Sequence, residues 1–394
     1  MPVSPRVIDA AERRARVSRR HRHAPESRTD DVVAIADGLV ALHSTDPVTV
    51  YLSVAARMRT PAFGPLETAL YYERSLLRHH AMRRTLWVLG HESTRLAHHG
   101  ATRAIARVQR RNLLSTLDAG GVPDPERWLA AADEQVHELL AAEGPLTARE
   151  VGVRLPELAR PVPVGGGRFA TTQAAHTRVL LVLGFAGRVV RARPTGTWIN
   201  GQYRWAAAES WSPGVFGAGD ARAAAAGLAR RWLHAFGPAT RTDLQWWAGW
   251  PAATTTTALA DVGAVRVQLD EGPGWVAPDD VDQVPAAPPS VRLLPGLDPS
   301  TMGWKQRGFH LDADHVPLLF DRNGNGGPTV WVDGRVVGGW VQRRDGTLAM
   351  RLLTDIGAQA RAELERHAHE WETLLGPVRF SVRFPAPVQA ELMA

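Results

Sequence analysis

The sequence predicts an α+β protein: three tandem winged helix-turn-helix motifs followed by a small β-rich C-terminal domain. Three observations carry this reading. First, a Gly-Pro pair followed by a helix-start pattern occurs three times, as Phe63-Gly64-Pro65-Leu66-Glu67, Glu143-Gly144-Pro145-Leu146-Thr147 and Phe236-Gly237-Pro238-Ala239-Thr240. The copies lie roughly 80 to 90 residues apart, about one winged helix each. Second, each copy is followed by a short helix and then by two strand-like segments, which is winged-helix order. Third, from Val291 the pattern changes to short strands separated by turn residues. Chance recurrence of Gly-Pro in a chain with 36 Gly and 28 Pro is the alternative, and the shared sequel of the three copies speaks against it.

The helices that open each copy are expected at residues 66–72, 148–155 and 241–248. In the second copy Thr147 and Glu150 have capping-box spacing, and in the third Thr240 and Asp243 approximate it. Pro156 and Pro251 end the last two helices at a turn. The strand pairs follow at 76–82 and 84–89, at 188–193 and 198–205, and at 265–269 and 274–277. In the tail, strands are expected at 291–294, 329–332, 336–341 and 347–352, then a helix at 354–375 and a last strand at 378–384. Asp333-Gly334 and Asp345-Gly346 are type I′ hairpin signals. The proline-rich stretch 285–289 marks a linker. The expected segments are therefore 1–110 with the first winged helix, 111–215 with the second, 216–287 with the third, and 288–394 with the β-rich domain.

The 394 residues are 44% hydrophobic and 22% charged, ordinary for a globular chain with ample core. Formal net charge is +6, and of the 46 basic side chains only Lys305 is lysine. Arginine is always charged and grips phosphate in two-point contacts, so nucleic acid is the first partner to test. There is no cysteine, which excludes disulfides, Cys-ligated zinc, iron–sulfur clusters and thiol catalysis. No membrane span is expected. The N-terminus lacks the apolar run of a secretory signal, and Asp9 and Glu12 interrupt an otherwise transit-like, Arg-rich start. Cytoplasm is the default location.

Candidate chemistry centres on residues 31–59. Val32, Ala36, Leu39 and His43 follow the rows of one helix face, which would set His43 at the end of a buried stripe. Asp46 and Pro47 then read as the N-cap and first residue of a second helix, with Val50, Val54 and Met58 facing inward. A histidine and a carboxylate thus sit within one turn at a helix–helix junction. Spacing alone favours a cap and a satisfied core histidine. The chemistry also allows a carboxylate that activates water and a histidine that positions it.

Other signals are weaker. Gly165-Gly166-Gly167 follows no βαβ strand and reads as a loop rather than a dinucleotide site. No phosphate-loop, zinc-protease or serine-hydrolase motif occurs. His79-His80, His98-His99, and His367 with His369 lack ligand spacing, so neither a metal nor a cofactor is expected. The run Arg13, Arg14, Arg16, Arg19, Arg20, Arg22 fits a solvated helix face and a phosphate-contacting face equally well. Arg83 and Arg84 fall in the first wing, where basic residues meet the DNA backbone. The turn 321–328, with Arg322, Asn323 and Asn325, reads by itself as a flexible hairpin loop.

Four segments, Leu42-His43-Ser44-Thr45-Asp46-Pro47, Met82-Arg83-Arg84-Thr85-Leu86-Trp87, Leu293-Leu294-Pro295-Gly296-Leu297-Asp298 and Val332-Asp333-Gly334-Arg335-Val336-Val337-Gly338-Gly339-Trp340, resemble in order the AlkZ/YcaQ-like winged-helix DNA glycosylases. The resemblance spans nearly the whole chain. It implies tandem winged helices closed by a β-rich part, and hydrolysis of the N-glycosidic bond of bulky or crosslinking N7-alkylated purines. Some members of that family protect antibiotic producers from their own alkylating products. Its catalytic signature, Gln-x-Gln or Gln-x-Asp, is matched here by His43-Ser44-Thr45. The chain departs at both outer positions and supplies Asp46 one residue later, which resembles a His-containing branch tied to resistance against large intercalating alkylators.

The resemblance implies a division of labour. Asp46 would stabilise the oxocarbenium-like sugar and activate water, His43 would hold water or sugar, and Thr45 would support the geometry. Arg83 and Arg84 would hold phosphates, and the turn with Arg322, Asn323 and Asn325 would probe the duplex. With Lys305 as the only lysine, a monofunctional hydrolase without Schiff-base chemistry is expected. The partner would be double-stranded DNA carrying alkylated purines, acted on by a monomer with no obligate protein partner. The alternative is a non-catalytic winged-helix DNA-binding regulator, which would bind a sequence tightly and release no base.

Overall fold

The computed structural model describes residues 5–165 and 171–394. Of the expected glycine loop, Gly166 and Gly167 lie outside the described residues. Helix and sheet are mixed, and the chain forms two compact units, one of residues 1–69 with 226–394 and one of Leu70–Ala225. Among the described residues no helix is long and apolar enough to cross a membrane.

The Leu70–Ala225 unit contains the ribbons of the first two repeats. Leu76–His80 and Leu86–Gly90 pair antiparallel, with Leu76 opposite Gly90 and His80 opposite Leu86. The first strand also pairs with Val189–Pro194 at Arg78 and Arg191, and Val189–Pro194 pairs with Tyr203–Ala207. Both ribbons therefore lie in one sheet. The last strand begins at Tyr203 rather than 198, because Asn200 closes a turn there with its amide on the carbonyl of Thr195 at 2.6 Å. Helices Arg103–Ala119, Pro125–Glu143, Ala148–Arg154 and Ala175–Ala186 supply the core through Leu117, Leu140, Val151 and Leu180. Thr147 and Glu150 form the expected capping box, with main-chain donors at 2.7 and 3.2 Å. A further pair, Pro161–Val164 and Thr171–Ala174, carries two prolines and no clear alternation, so its sequence signal is faint.

In the other unit, the third repeat runs helix Arg241–Ala248, helix Ala252–Val262, then the hairpin Val265–Leu269 and Gly272–Val276. Thr240 and Asp243 form its capping box. The tail builds a four-stranded antiparallel sheet in the order Val291–Leu294, Thr329–Val332, Arg335–Gln342, Leu348–Leu352. Asp333 and Gly334 turn its tight hairpin with φ of 48° and 74°, as a type I′ turn requires. At Asp345-Gly346 only Gly346 has positive φ, so the wider turn 343–347 is not type I′. A Cβ on Gly338 would run into the carbonyl of Arg351, and one on Gly339 into Val388 of the helix Pro387–Met393, which explains both glycines in the strand.

Two expectations fail here. Residues 378–384 form no strand, because the Gln342 side chain takes their main-chain groups: it donates to Val378 O at 3.0 Å and accepts from Phe380 N at 3.2 Å. The arginine run is neither a solvated face nor a phosphate face. On helix Ala10–Arg20, Arg13 and Arg16 are buried. Arg13 pairs with Glu271, and Arg16 pairs with Glu12 at 2.7 Å and Asp280 at 2.8 Å. Arg20 also grips Asp280, while Arg14 and Arg19 bond main-chain carbonyls of Phe309, Pro285 and Ala286. These arginines hold the first helix to segments more than 250 residues away in sequence.

An aromatic cluster fills the centre of this unit. The His21 ring lies 4.9 Å from Phe236 and 5.7 Å from Trp304, and His310 stacks on Trp331 at 5.1 Å. Burial, reinforced by the nearby Arg57 charge, pulls His21 down to about 3, so the ring is a neutral core group.

Candidate active site

Helix Val32–Gly38, capped by Asp31, stops well before His43. The chain then passes through Val40 at φ 65° and enters the extended pair Leu42–His43. His43 therefore does not continue a helix face, contrary to the periodicity of Val32, Ala36 and Leu39. Left-handed backbone at a β-branched residue costs of order 1–3 kcal/mol and persists only where the surroundings enforce it; Val40 is fully buried.

Asp46 caps helix Pro47–Ala55 as expected, with Oδ1 accepting from Val48 N at 3.1 Å. The main-chain N–H of Arg383 also donates to this carboxylate. Burial pushes the Asp46 carboxyl above its ordinary value; the two N–H donors and the Arg383 charge oppose that without cancelling it. The result is a carboxylate of raised basicity at a buried helix start. Thr45 N approaches His43 Nδ1 at 3.5 Å. The Thr45 hydroxyl is buried and meets no hydrogen-bond partner among the described residues. His43, Thr45 and Asp46 are thus brought together in one short loop.

The helix behind this loop is fixed by the Leu293–Asp298 segment. Thr49 Oγ1 donates to Gly296 O at 2.6 Å, and Ser53 Oγ donates to Asp298 Oδ2 at 2.6 Å. Arg57, just beyond the helix, forms a two-point pair with Asp298 at 2.7 and 2.8 Å, with both side chains fully buried. Burial alone would raise the Asp298 carboxyl, but the charge and bonds of Arg57, with Ser53 and Ser300 N, hold it below its ordinary value. The segment, one of the four that carry the family resemblance, is a lock on the helix carrying Asp46.

In the same unit an open cleft of ≈ 890 Å³ is lined by Arg307, Phe320, Arg322, Asn323, Arg383 and Phe384 among others. Arg322 and Asn323 are exposed there. Asn325 is less available: its amide donates to Asp321 Oδ2 at 2.9 Å, and Asp321 also accepts from Asn323 N and Asn325 N, which folds the turn. Arg307 lies over the rings of Trp246 and Phe320 at 5.3 and 4.7 Å, and burial pulls it down to about 10. Sequence reasoning missed Arg307 and Arg383. The only available signal was their charge, and 45 arginines made that uninformative.

Arg83 and Arg84 belong to the other unit. They form the tip of the first hairpin with φ of 53° and 61°. The turn is tied through Met82 O, which accepts from Thr85 N at 3.2 Å and Trp87 Nε1 at 3.1 Å. Arg83 is half-buried with its guanidinium 5.6 Å from the Trp87 ring centre, and Arg84 is exposed. Among the described residues, no group of three or more His, Asp or Glu side chains could hold a metal ion.

The family model for DNA glycosylase AlkZ-like proteins matches residues 36–374, which sets the chain in a class of enzymes that act on DNA. The chain belongs to the AlkZ-like DNA glycosylase family. Among solved structures it is similar to the Streptomyces sahachiroi DNA glycosylase AlkZ, with a TM-score of 0.72 and 20% sequence identity over 96% of this chain and 98% of that one. At that identity the likeness speaks for the fold. No curated protein matches the chain in sequence.

Proposed function

We propose that the protein is a monofunctional DNA glycosylase that hydrolyses the N-glycosidic bond of bulky N7-alkylguanine in duplex DNA, acting as a cytoplasmic monomer and serving self-resistance to a genotoxic natural product. The observation that carries this is the loop His43–Asp46: a carboxylate of raised basicity, beside a histidine and an unsatisfied threonine hydroxyl. N7-alkylation makes the guanine cationic, so the base leaves without a general acid. What remains is to stabilise positive charge on the sugar and to deliver water. Asp46 faces the developing oxocarbenium and takes a proton from water, His43 holds that water, and Thr45 Oγ1 completes its binding.

The fold is read as three winged helices, in segments 1–110, 111–215 and 216–287, followed by a β-rich domain at 288–394. Arg83 and Arg84 contact phosphates, and Arg322 with Asn323 enters the duplex while Asn325 shapes their turn. A bulky adduct resists full extrusion into a closed pocket, and an open cleft suits it. The test is incubation with duplexes carrying a bulky N7-alkylguanine, followed by assay for abasic sites. Base release from the bulky adduct supports the reading; release from neither bulky nor simple N7-alkylguanine overturns it.

A further inference from the structure

In the Leu70–Ala225 unit the strands gather arginines among aromatic rings. Arg78 and Arg191 stand directly opposite each other on adjacent strands, an arrangement that repels by itself. Arg78 lies 4.4 Å from the Tyr203 ring centre, and Arg191 lies 3.5 Å from that of Trp205. Arg191 Nε donates to His80 Nε2 at 3.4 Å, so its contacts here are a ring nitrogen and the Trp205 face rather than a carboxylate. Burial, together with the Arg78 charge, pulls it down to about 10. Further along, Arg193 sits 5.7 and 5.9 Å from the rings of Tyr71 and Tyr72 and donates to the Tyr72 hydroxyl at 3.1 Å.

Tyr72 is the exception in this group. Its side chain is 68% exposed, the one aromatic among the strongly exposed large apolar residues described. It ends a π-helical turn, Thr68–Tyr72, a rare geometry that recurs at functional sites. Two residues on, Arg74 adopts φ 57° with its guanidinium 4.3 Å from the Trp211 ring centre. An aromatic face held open to solvent, steadied by an arginine and set beside further cations, matches the way proteins seat a base and its phosphate.

We propose that Tyr72 is a stacking platform for an unpaired nucleobase of the DNA substrate, with Arg193 contacting the adjoining phosphate. Ring stacking accepts any base, so the platform reads the loss of pairing rather than sequence. The inference rests on DNA being the substrate, and it lies outside the His43–Asp46 loop.

The test uses the full chain and two duplexes, one fully paired and one with a single bulged 2-aminopurine, a fluorescent base whose emission falls on stacking. Wild-type protein is expected to quench the bulged base. Tyr72→Phe should keep that quenching, whereas Tyr72→Ala should lose it and bind the bulged duplex about 5- to 150-fold more weakly, with a smaller effect on the paired duplex. Arg193→Gln should lower the slope of log affinity against log salt by about one. Equal quenching and affinity for Tyr72→Ala and wild type overturn the proposal, and so does an equal loss on both duplexes. Tyr72-dependent quenching by a protein that releases no base would sustain the platform and defeat the glycosylase reading. Absence of affinity for either duplex would defeat both.

Discussion

Substituting Asp298 by Ala should unlock the helix that presents Asp46. In the native structure this carboxylate accepts from Arg57 Nη1 and Nη2, Ser53 Oγ and Ser300 N, all at 2.6–2.8 Å and fully out of solvent. Removing it leaves the Arg57 charge buried with only the carbonyls of His21 and Ser53 and the Ser300 hydroxyl. Breaking a buried pair from one side costs about 3–5 kcal/mol. In a unit of this size that corresponds to a drop of about 10 °C in Tm. Urea unfolding followed by tryptophan fluorescence, with calorimetry, measures the loss. Adding Arg57→Met should recover much of it, because the stranded charge is then gone. At temperatures where Asp298→Ala is still folded, base release should fall as well, since helix Pro47–Ala55 has lost two of its anchors. A loss below about 1 kcal/mol, or a double variant no better than the single one, would refute the lock.

Three further outcomes are expected. Arg383→Gln removes a charge that favours ionised Asp46, so the Asp46 carboxyl should rise further and the acid limb of the kcat–pH profile should move to higher pH; an unmoved limb contradicts the contact. His21 and His80 are pulled to about 3 and His98 to about 4, chiefly by burial. Because these folded-state values lie below the unfolded value of about 6.5, stability is full above that pH and is lost as pH falls beneath it, by about 1 kcal/mol per histidine per pH unit; a Tm flat from pH 7 to 5 in a calorimetric series would contradict their neutrality. Asp280→Ala strips the buried Arg16 and also Arg20 of a carboxylate and should cost about 3 kcal/mol in chemical denaturation, whereas a free basic face would show almost none.

Local chemistry was the legible part of the chain. The capping residues Thr147 with Glu150 and Thr240 with Asp243 stand where their spacing put them, as does Asp46 at the start of helix Pro47–Ala55. Their signals are complete within four residues. The Asp333-Gly334 hairpin was readable for the same reason. What failed depends on distant partners. Nothing near Arg16 announces Asp280, so a buried ionic clamp looked like a surface stripe. Residues 378–384 alternate like a strand, yet the Gln342 side chain captures their main chain. His43 kept the 3.6-residue rhythm, but the chain leaves the helix at Gly38 and turns at Val40. At the candidate site the closeness of His43 and Asp46 along the chain was visible in the sequence. The Arg383 contact and the lock through Asp298 lie 337 and 252 residues away from Asp46 and were not.

The central claim is that Asp46 drives release of an alkylated base. The direct measurement is single-turnover base excision from a duplex carrying one bulky N7-alkylguanine, for wild type, Asp46→Asn and His43→Ala. Asp46→Asn keeps the side-chain oxygen that caps Val48 N while removing the charge, so the fold should survive. The account predicts abasic sites with wild type, a rate about 100-fold or more lower with Asp46→Asn, and a smaller loss with His43→Ala. Wild-type excision retained in full by both variants would contradict it.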